Sequence, residues 1–154
     1  MTRRRSGWTL VELFIVLIII GLLARLAVPR LHDMKLRAEA AKIIGDVHAI
    51  QLAVSTHHAD TNLWPSNAAA GAVPNELIAY LPRNFSFVKP EYMLGLNVTP
   101  PVGGSPIDNA IVTVDVLSMD PALVPILSLL AQPGLGHYAV GGKYTFVLAG
   151  IGSS

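Results

Sequence analysis

Side chains that could ligate a metal are concentrated in one stretch of the sequence. His57, His58 and Asp60 follow one another closely, and His48 precedes His57 by nine positions. Imidazole nitrogens and carboxylate oxygens are the usual protein ligands of zinc, together with thiolates. Adjacent histidines on a helix point about 100° apart, however, and a histidine in the last helical turn is favoured by the helix dipole. We therefore interpret this cluster as a helix end and predict no metal site.

Three aspartates form a second set with metal-binding chemistry, in this case for calcium. Asp108, Asp115 and Asp120 do not have the spacing of an EF-hand loop, and Asp120 followed by Pro121 has the pattern of a helix N-cap. Calcium binding by these residues stays an open alternative. The sequence shows no Gly-rich phosphate loop, no Ser-His-Asp order and no pair of catalytic carboxylates. It therefore predicts no catalytic residue and no cofactor.

The composition separates an apolar end of the chain from the rest. Of the 154 residues, 52% are hydrophobic and 14% are charged, whereas soluble domains carry about a quarter charged residues. The net charge of +1 depends on Arg3, Arg4 and Arg5, without which eight basic residues face ten acidic ones. The folded part thus lacks the basic stripe typical of nucleic-acid binding. The absence of cysteine excludes disulfides, thiolate metal sites and a cysteine nucleophile.

Residues 8–28 have the length and composition of a membrane span. Their only polar side chains are those of Thr9, Glu12 and Arg25. As a helix this segment would be about 31 Å long, which matches the roughly 30 Å hydrocarbon core of a bilayer. We predict one transmembrane helix, with the guanidinium of Arg25 reaching the lipid headgroups at its far end.

A cleaved secretory signal peptide is the alternative interpretation of a basic start followed by an apolar run. Glu12 lies inside what would be its hydrophobic region, and in LLARLAVP an arginine stands where the cleavage pattern requires a small residue. An arginine doublet alone is not a twin-arginine signal. We therefore expect the apolar segment to be retained.

Glu12 needs a partner, because an acid in a span costs about 2.5 to 3.5 kcal/mol near the centre and less near an end. Arg25 is about 20 Å away along the helix axis. Cleavage between Gly7 and Trp8 would instead create an α-ammonium group at the same end of the helix. Unit charges ~4 Å apart attract by on the order of 4 kcal/mol at an effective dielectric constant of 20. The amine belongs either to the same chain or to a neighbour, and only a neighbour would build a polymer.

The segment GWTLVELFIVLIIIGLLARLAVP resembles the start of type IV pilins and of the pseudopilins of type II secretion systems. The positions that match the family pattern are Gly7, Thr9, Leu10, Glu12, Leu13, Gly21 and Pro29. Trp8 replaces the commoner Phe or Met. The resemblance implies that a prepilin peptidase cuts between Gly7 and Trp8 and methylates the amine of Trp8. It also implies that Glu12 serves subunit docking in a helical filament.

The predicted fold class is α+β, with a long N-terminal helix packed against a small antiparallel β-sheet head, as in pilins. We divide the chain into a leader (1–7), a transmembrane helix segment (8–28), an amphipathic continuation of the helix (29–58) and a globular head (59–154). Gly21 and Pro29 are predicted to kink the helix, which would run from about Trp8 to His57. Apolar residues at helical spacing in the continuation are Leu31, Met34, Ala38 and Ala41, then Ile43, Val47, Ile50 and Val54.

The head shows several strand-like runs. These are FSFV, YMLGLNV and AIVTVDVL, with a turn at PPVGGSPIDN, and a closing hairpin in HYAVGGKYTFVLAG around Gly141 and Gly142. NELIAYLP predicts a short helical turn. A second short helix is predicted from Asp120 and Pro121 to Gly134.

The leader arginines predict the orientation in the membrane. Each costs about 3 kcal/mol in lipid and gains about 1 kcal/mol at an anionic cytoplasmic surface, so they hold the N-terminus inside. We expect a single-pass protein of the bacterial inner membrane with its head outside.

The function expected from the resemblance is that of a non-enzymatic pseudopilin or pilin subunit in an inner-membrane-anchored helical filament, for type II secretion or a type IV pilus. Its expected partners are other pilin or pseudopilin subunits, the prepilin peptidase, an inner-membrane assembly platform and membrane lipid, with no nucleic acid. The alternative is a single-span, membrane-anchored enzyme or ligand-binding protein with a His-containing extracytoplasmic head.

Overall fold

The computed structural model describes residues 9–100, 110–118, 120–131 and 135–149. The helices are α1 (Leu10–Thr61), a 3₁₀ helix (Asn75–Leu77) and α2 (Leu123–Leu130). The strands are β1 (Tyr92–Thr99), β2 (Ile111–Ser118), β3 (Gly136–Val140) and β4 (Lys143–Ala149). This arrangement confirms the predicted α+β class, with one long N-terminal helix followed by a small antiparallel sheet.

Helix α1 begins and ends with local hydrogen bonds. At its start the hydroxyl of Thr9 accepts a hydrogen bond from the Glu12 N–H at 3.2 Å, which satisfies one of the free donors of the first turn. At its end the Asn62 N–H donates to the His58 carbonyl, with Asn62 in the left-handed conformation (φ 58°) typical of the residue after a helix. The helix therefore extends four residues beyond His57, and Trp8 lies outside the described residues.

The chain divides into two compact units, Met1–Lys35 and Leu36–Ser154. In the first unit nearly all the large apolar side chains from Leu10 onwards are more than half exposed. An 18-residue window has a mean hydropathy of 2.6, and none of it is buried. In the described chain this helix is the one long and apolar enough to cross a membrane. It is helical through Gly21 and Pro29, so the kink there stays a prediction.

In the second unit one face of α1 is buried against the sheet. The buried positions are Leu36, Ala40, Ile43, Val47, Ile50 and Val54, each at most 5% exposed. They share a core with strand residues such as Leu94, Val114 and Phe146. The predicted set from Ile43 to Val54 thus lies in the core. Leu31, Met34, Ala38 and Ala41 are instead exposed, because the buried face continues backward through Ala40 and Leu36 in a different helical phase.

The sheet has the order β1-β2-β4-β3, and all its pairs are antiparallel. Its register places Leu94 opposite Val116 and Val116 opposite Tyr144, so these side chains share the face that meets the helix. The β3–β4 hairpin is confirmed. Gly141 (φ 60°) and Gly142 (φ 79°) form its two-residue turn, which requires positive φ at both positions.

The strand predicted at FSFV is wrong. Residues 85–88 contribute only one isolated bridge, between Val88 and Met93. The hydroxyl of Ser86 accepts a hydrogen bond from the Val88 N–H and donates to the Val88 carbonyl. These local bonds satisfy backbone groups that a strand ladder would need.

The two short helical segments differ in detail from their predictions. NELIAYLP forms the 3₁₀ helix followed by turns. Asp120 Oδ1 accepts a hydrogen bond from the Ala122 N–H at 2.9 Å, and α2 begins at Leu123. The helix therefore starts two residues later than predicted, and Pro125 lies in its first turn, where a missing N–H is tolerated. Gly134 and the turn at 101–109 lie outside the described residues.

Tyr92 connects β1 to α1 through a buried hydroxyl. It is 1% exposed and donates a hydrogen bond to Asp46 Oδ2 at 2.6 Å. Lys89 Nζ lies 3.4 Å from the same oxygen. Burial, and then the hydrogen bond and charge of Asp46, raise the pKa of Tyr92 well above its ordinary value of 10.0.

We predict that the Tyr92 contact is lost in alkali. The pKa of Tyr92 is raised in the folded state, so above about pH 10 the hydroxyl ionises in the unfolded chain before it does so in the folded chain. The contribution of the Tyr92 contact to the free energy of unfolding is therefore complete below about pH 10 and is lost as the pH rises further. The free energy of unfolding of the full chain in detergent, measured by urea titration on both sides of pH 10, should fall more steeply for the wild type than for Tyr92→Phe. Equal slopes in the two chains would contradict this role, since the other tyrosines and lysines are common to both.

Candidate functional site

Glu12 lies in the first turn of α1, and its position there is set by Thr9. The Thr9-x-x-Glu12 spacing is that of a capping box, and the threonine half of the motif is formed. Sequence reasoning treated Thr9 only as part of a family pattern and missed this local role. The spacing itself was the signal that could have revealed it.

The side chain of Glu12 is exposed, and no basic group among the described residues forms an ion pair with its carboxylate. A carboxylate in the first turn is favoured by the helix dipole, but by only about 0.3–1 kcal/mol. That is less than the cost of placing it in lipid. Gly7, Trp8 and the leader arginines Arg3, Arg4 and Arg5 lie outside the described residues, so pairing with a terminal amine stays a prediction.

His57 is held by packing at the end of α1. It is 6% exposed, its Nδ1 lies 3.1 Å from the Leu63 carbonyl oxygen, and its ring meets that of Tyr80 edge-on at 5.5 Å. These contacts fix the ring between the helix end and the segment that follows the 3₁₀ helix. One ring nitrogen of His57 is therefore engaged with the backbone.

His58 and Asp60 interact with two different aromatic side chains, those of Trp64 and Tyr80. The ring of His58 stacks on that of Trp64, with centroids 3.8 Å apart and planes 8° from parallel. Burial, and then the charge and hydrogen bond of Asp60, raise the pKa of Tyr80. In the part of the chain that the structure describes, no three His, Cys, Asp or Glu side chains come together as a metal site. The histidine cluster thus builds the aromatic packing that closes the helix end.

Asp115 is a buried carboxylate among the described residues of the head. Its carboxylate accepts hydrogen bonds from Asn97 Nδ2 at 2.6 Å, Lys143 Nζ at 2.7 Å and Thr145 Oγ1 at 2.7 Å. The residue is 6% exposed and ties β1, β2 and β4 together on the face opposite the helix. Its hydrogen bond and charge raise the pKa of Lys143. Of the other two candidate calcium ligands, Asp120 is engaged in the turn before α2 and Asp108 lies outside the described residues.

The described chain thus combines an apolar exposed helix that carries an acid in its first turn with an α+β head whose acids have protein partners. Proteins with a similar sequence are found among secretion-system proteins and pilins. The chain is 39% identical over 64 residues to the type II secretion system core protein G of Aeromonas hydrophila, covering 42% of the chain and 45% of that protein. It is 32% identical over 84 residues to the core protein G of Pectobacterium carotovorum subsp. carotovorum, covering 53% and 54%.

A pilin is also among the relatives. The type IV major pilin protein PilE1 of Neisseria gonorrhoeae is 35% identical over 71 residues, covering 46% of the chain and 33% of that protein. These relatives confirm the resemblance to the type IV pilins and type II secretion pseudopilins. The matched stretch spans about half or less of each relative's length. No protein-family model matches the chain, and no solved structure matches it.

We predict that the Asp115 network holds the sheet together. Asp115→Ala leaves the amide of Asn97 and the hydroxyl of Thr145 without their acceptor, which should lower the free energy of unfolding by about 1–3 kcal/mol. The matched control is Glu76→Ala, an exposed acid that accepts one hydrogen bond from Ser66, for which a change within about 0.5 kcal/mol is expected. Urea unfolding of the full chain in detergent measures both, and equal effects would contradict the assignment.

Proposed function

We propose that the chain is a structural subunit, a pseudopilin or a pilin, of an inner-membrane-anchored helical filament that serves type II secretion or a type IV pilus. The observation that carries this proposal is the first unit of the chain: a helix of exposed apolar side chains with one carboxylate in its first turn. Type II secretion core proteins and a type IV pilin are among the proteins that its sequence matches.

Residues 8–28 insert in the membrane, residues 29–58 continue the helix, and residues 59–154 form the head outside. The leader arginines Arg3, Arg4 and Arg5 keep the N-terminus in the cytoplasm because they gain energy at an anionic cytoplasmic surface. The head then folds on the opposite side of the inner membrane. In this orientation the helix is the anchor of the subunit before assembly.

Processing converts this precursor into an assembly-competent subunit. A prepilin peptidase cleaves the bond between Gly7 and Trp8, removes the leader (1–7) and methylates the new amine of Trp8. The inner-membrane platform then takes up the mature subunit. Cleavage removes three positive charges and leaves one positive nitrogen at the end of the helix that carries Glu12.

Glu12 docks on the amine of Trp8 in a neighbouring subunit that is displaced along the helix axis. The attraction between the two charges at ~4 Å is on the order of 4 kcal/mol at an effective dielectric constant of 20, which offsets the cost of holding the acid in an apolar environment. A pair formed between chains fixes their stagger, whereas a pair within one chain would not. Repetition of the same stagger produces a helical filament.

Gly21 and Pro29 let the apolar helix adapt to its neighbours by kinking. A Cβ added at Gly21 would meet no atom within 4 Å in this chain, so contacts within the described chain do not require glycine there. Glycine in a helix interior costs about 1 kcal/mol relative to alanine, which favours a role that appears only between subunits or on bending.

The alternative of a single-span enzyme or ligand-binding protein is not favoured. It was based on the histidines of the head, and His57 and His58 pack against Tyr80 and Trp64. The relatives carry the names of secretion-system core proteins and pilins.

Processing predicts a defined mass. Intact-mass analysis of the protein extracted from membranes of cells that contain a prepilin peptidase should show a chain without residues 1–7 and with one added methyl group. A Gly7→Asp precursor, with a charged side chain at the cleavage position, should keep its full mass. An uncut wild-type chain in such cells would contradict the proposed processing.

Docking predicts that the charge of Glu12 is needed for assembly. Glu12→Gln keeps the size of the side chain and the Thr9 cap but removes the charge, so we expect normal cleavage and at least tenfold less incorporation into sheared or extracted filaments. The control is Glu76→Gln, which removes the charge of an exposed acid in the head and should assemble like the wild type. Wild-type incorporation of Glu12→Gln would show that the carboxylate does not register subunits.

A further inference from the structure

A shallow groove lies on the first unit of the chain, beyond the middle of the apolar helix. It has a volume of about 370 Å³ and is lined by Leu23, Ala27, Arg30 and Leu31. Leu23 and Leu31 are 61% and 64% exposed. In the described chain the groove is therefore open and apolar, with one cationic side chain at its border.

Helical spacing explains the shape of this groove. Leu23, Ala27 and Leu31 follow one another at intervals of four residues, so they lie along one side of the helix. The small side chain of Ala27 leaves a gap between the two leucines. Arg30 lies three residues after Ala27, on the same side, at the end of the groove that points away from the N-terminus.

Arg30 carries an uncompensated charge in the described chain. Its side chain is exposed, and no ion pair joins it to Asp33 or to another described acid. It lies two residues beyond the predicted span, at the depth of lipid headgroups. A guanidinium group there presents a planar fork of donors that matches a phosphate, to which it binds bidentately.

We propose that this groove binds one anionic phospholipid of the outer leaflet, with its phosphate on Arg30, near Leu31, and an acyl chain running along Ala27 and Leu23 toward the bilayer centre. The proposal rests on the membrane anchoring and orientation of the proposed function. Positive residues are disfavoured on the translocated side of a span, and Arg30 is placed on that side. An anionic headgroup offsets this charge, whereas a second copy of the chain at the same depth would bring another arginine to it.

The experiment uses the full chain reconstituted in bilayers with trace amounts of spin-labelled phosphatidylglycerol or phosphatidylcholine. The fraction of each label immobilised by the protein gives the ratio of their association constants. Arg30→Gln should lower the preference for phosphatidylglycerol about fivefold relative to the wild type, as expected for one arginine at the surface. The wild type and Arg30→Gln have the same leader arginines, so a difference between their lipid preferences is caused by residue 30.

Three further variants make the result specific. Arg30→Lys should retain part of the preference, because the charge stays while the fork is lost. Ala27→Phe should lower the preference by filling the groove, and Arg83→Gln, which changes an exposed arginine of the second unit, should leave it unchanged.

An unchanged preference in Arg30→Gln would overturn the inference. So would an Ala27→Phe chain that keeps the lipid preference but loses filament incorporation, since a neighbouring subunit would then occupy the groove. Filament incorporation of the wild type is measured in parallel. A chain that assembles but shows no lipid preference refutes only this inference, whereas a lipid-selective chain that never assembles refutes the proposed function.

Discussion

The proposed assembly depends on one electrostatic constraint: a carboxylate lies in the first turn of a helix whose first half exposes mostly apolar side chains. Glu12 follows the Thr9 cap and precedes a run of exposed aliphatic side chains. Neither the cap nor the helix dipole compensates for its charge in lipid, and among the described residues no cation reaches it. In the account proposed above, its partner comes from another subunit. On this proposal, the residue that makes the monomer costly to keep in the membrane is also the one that drives its assembly.

The long helix has two different surfaces along its length, and each is suited to a different environment. Up to Met34 nearly all the apolar side chains whose burial is described are exposed, which is favourable only in lipid or among other helices. From Leu36 onwards one side of the helix is buried against the sheet, and the hydrogen bond from Tyr92 to Asp46 joins β1 to the helix there. In the second unit, Asp46 of α1 and Asp115 of β2 both have basic partners within the chain, Lys89 and Lys143. In the described chain, the segment of α1 up to Met34 therefore carries the longest run of exposed apolar side chains.

Local signals predicted much of this fold. Alternating apolar residues indicated β1 and β2, and Gly141 and Gly142 indicated the hairpin, because only glycine adopts both of its positive φ angles readily. The strand at FSFV failed since Ser86 forms competing bonds with Val88 that a propensity pattern does not reveal. For the candidate site, too, some features could be predicted from the sequence and others could not. Glu12 stood out by its chemistry, whereas the Asp115 network needs the register of three strands, and the stacking of His58 on Trp64 needs the turn at Asn62.

The central claim concerns two atoms of neighbouring chains, and a near-atomic cryo-EM reconstruction of the assembled filament measures it most directly. The account predicts a carboxylate oxygen of Glu12 within about 4 Å of the methylated amine of Trp8 in an adjacent subunit, at the same stagger throughout the filament. A Glu12 carboxylate that faces lipid or water, with no positive nitrogen near it, would contradict the account.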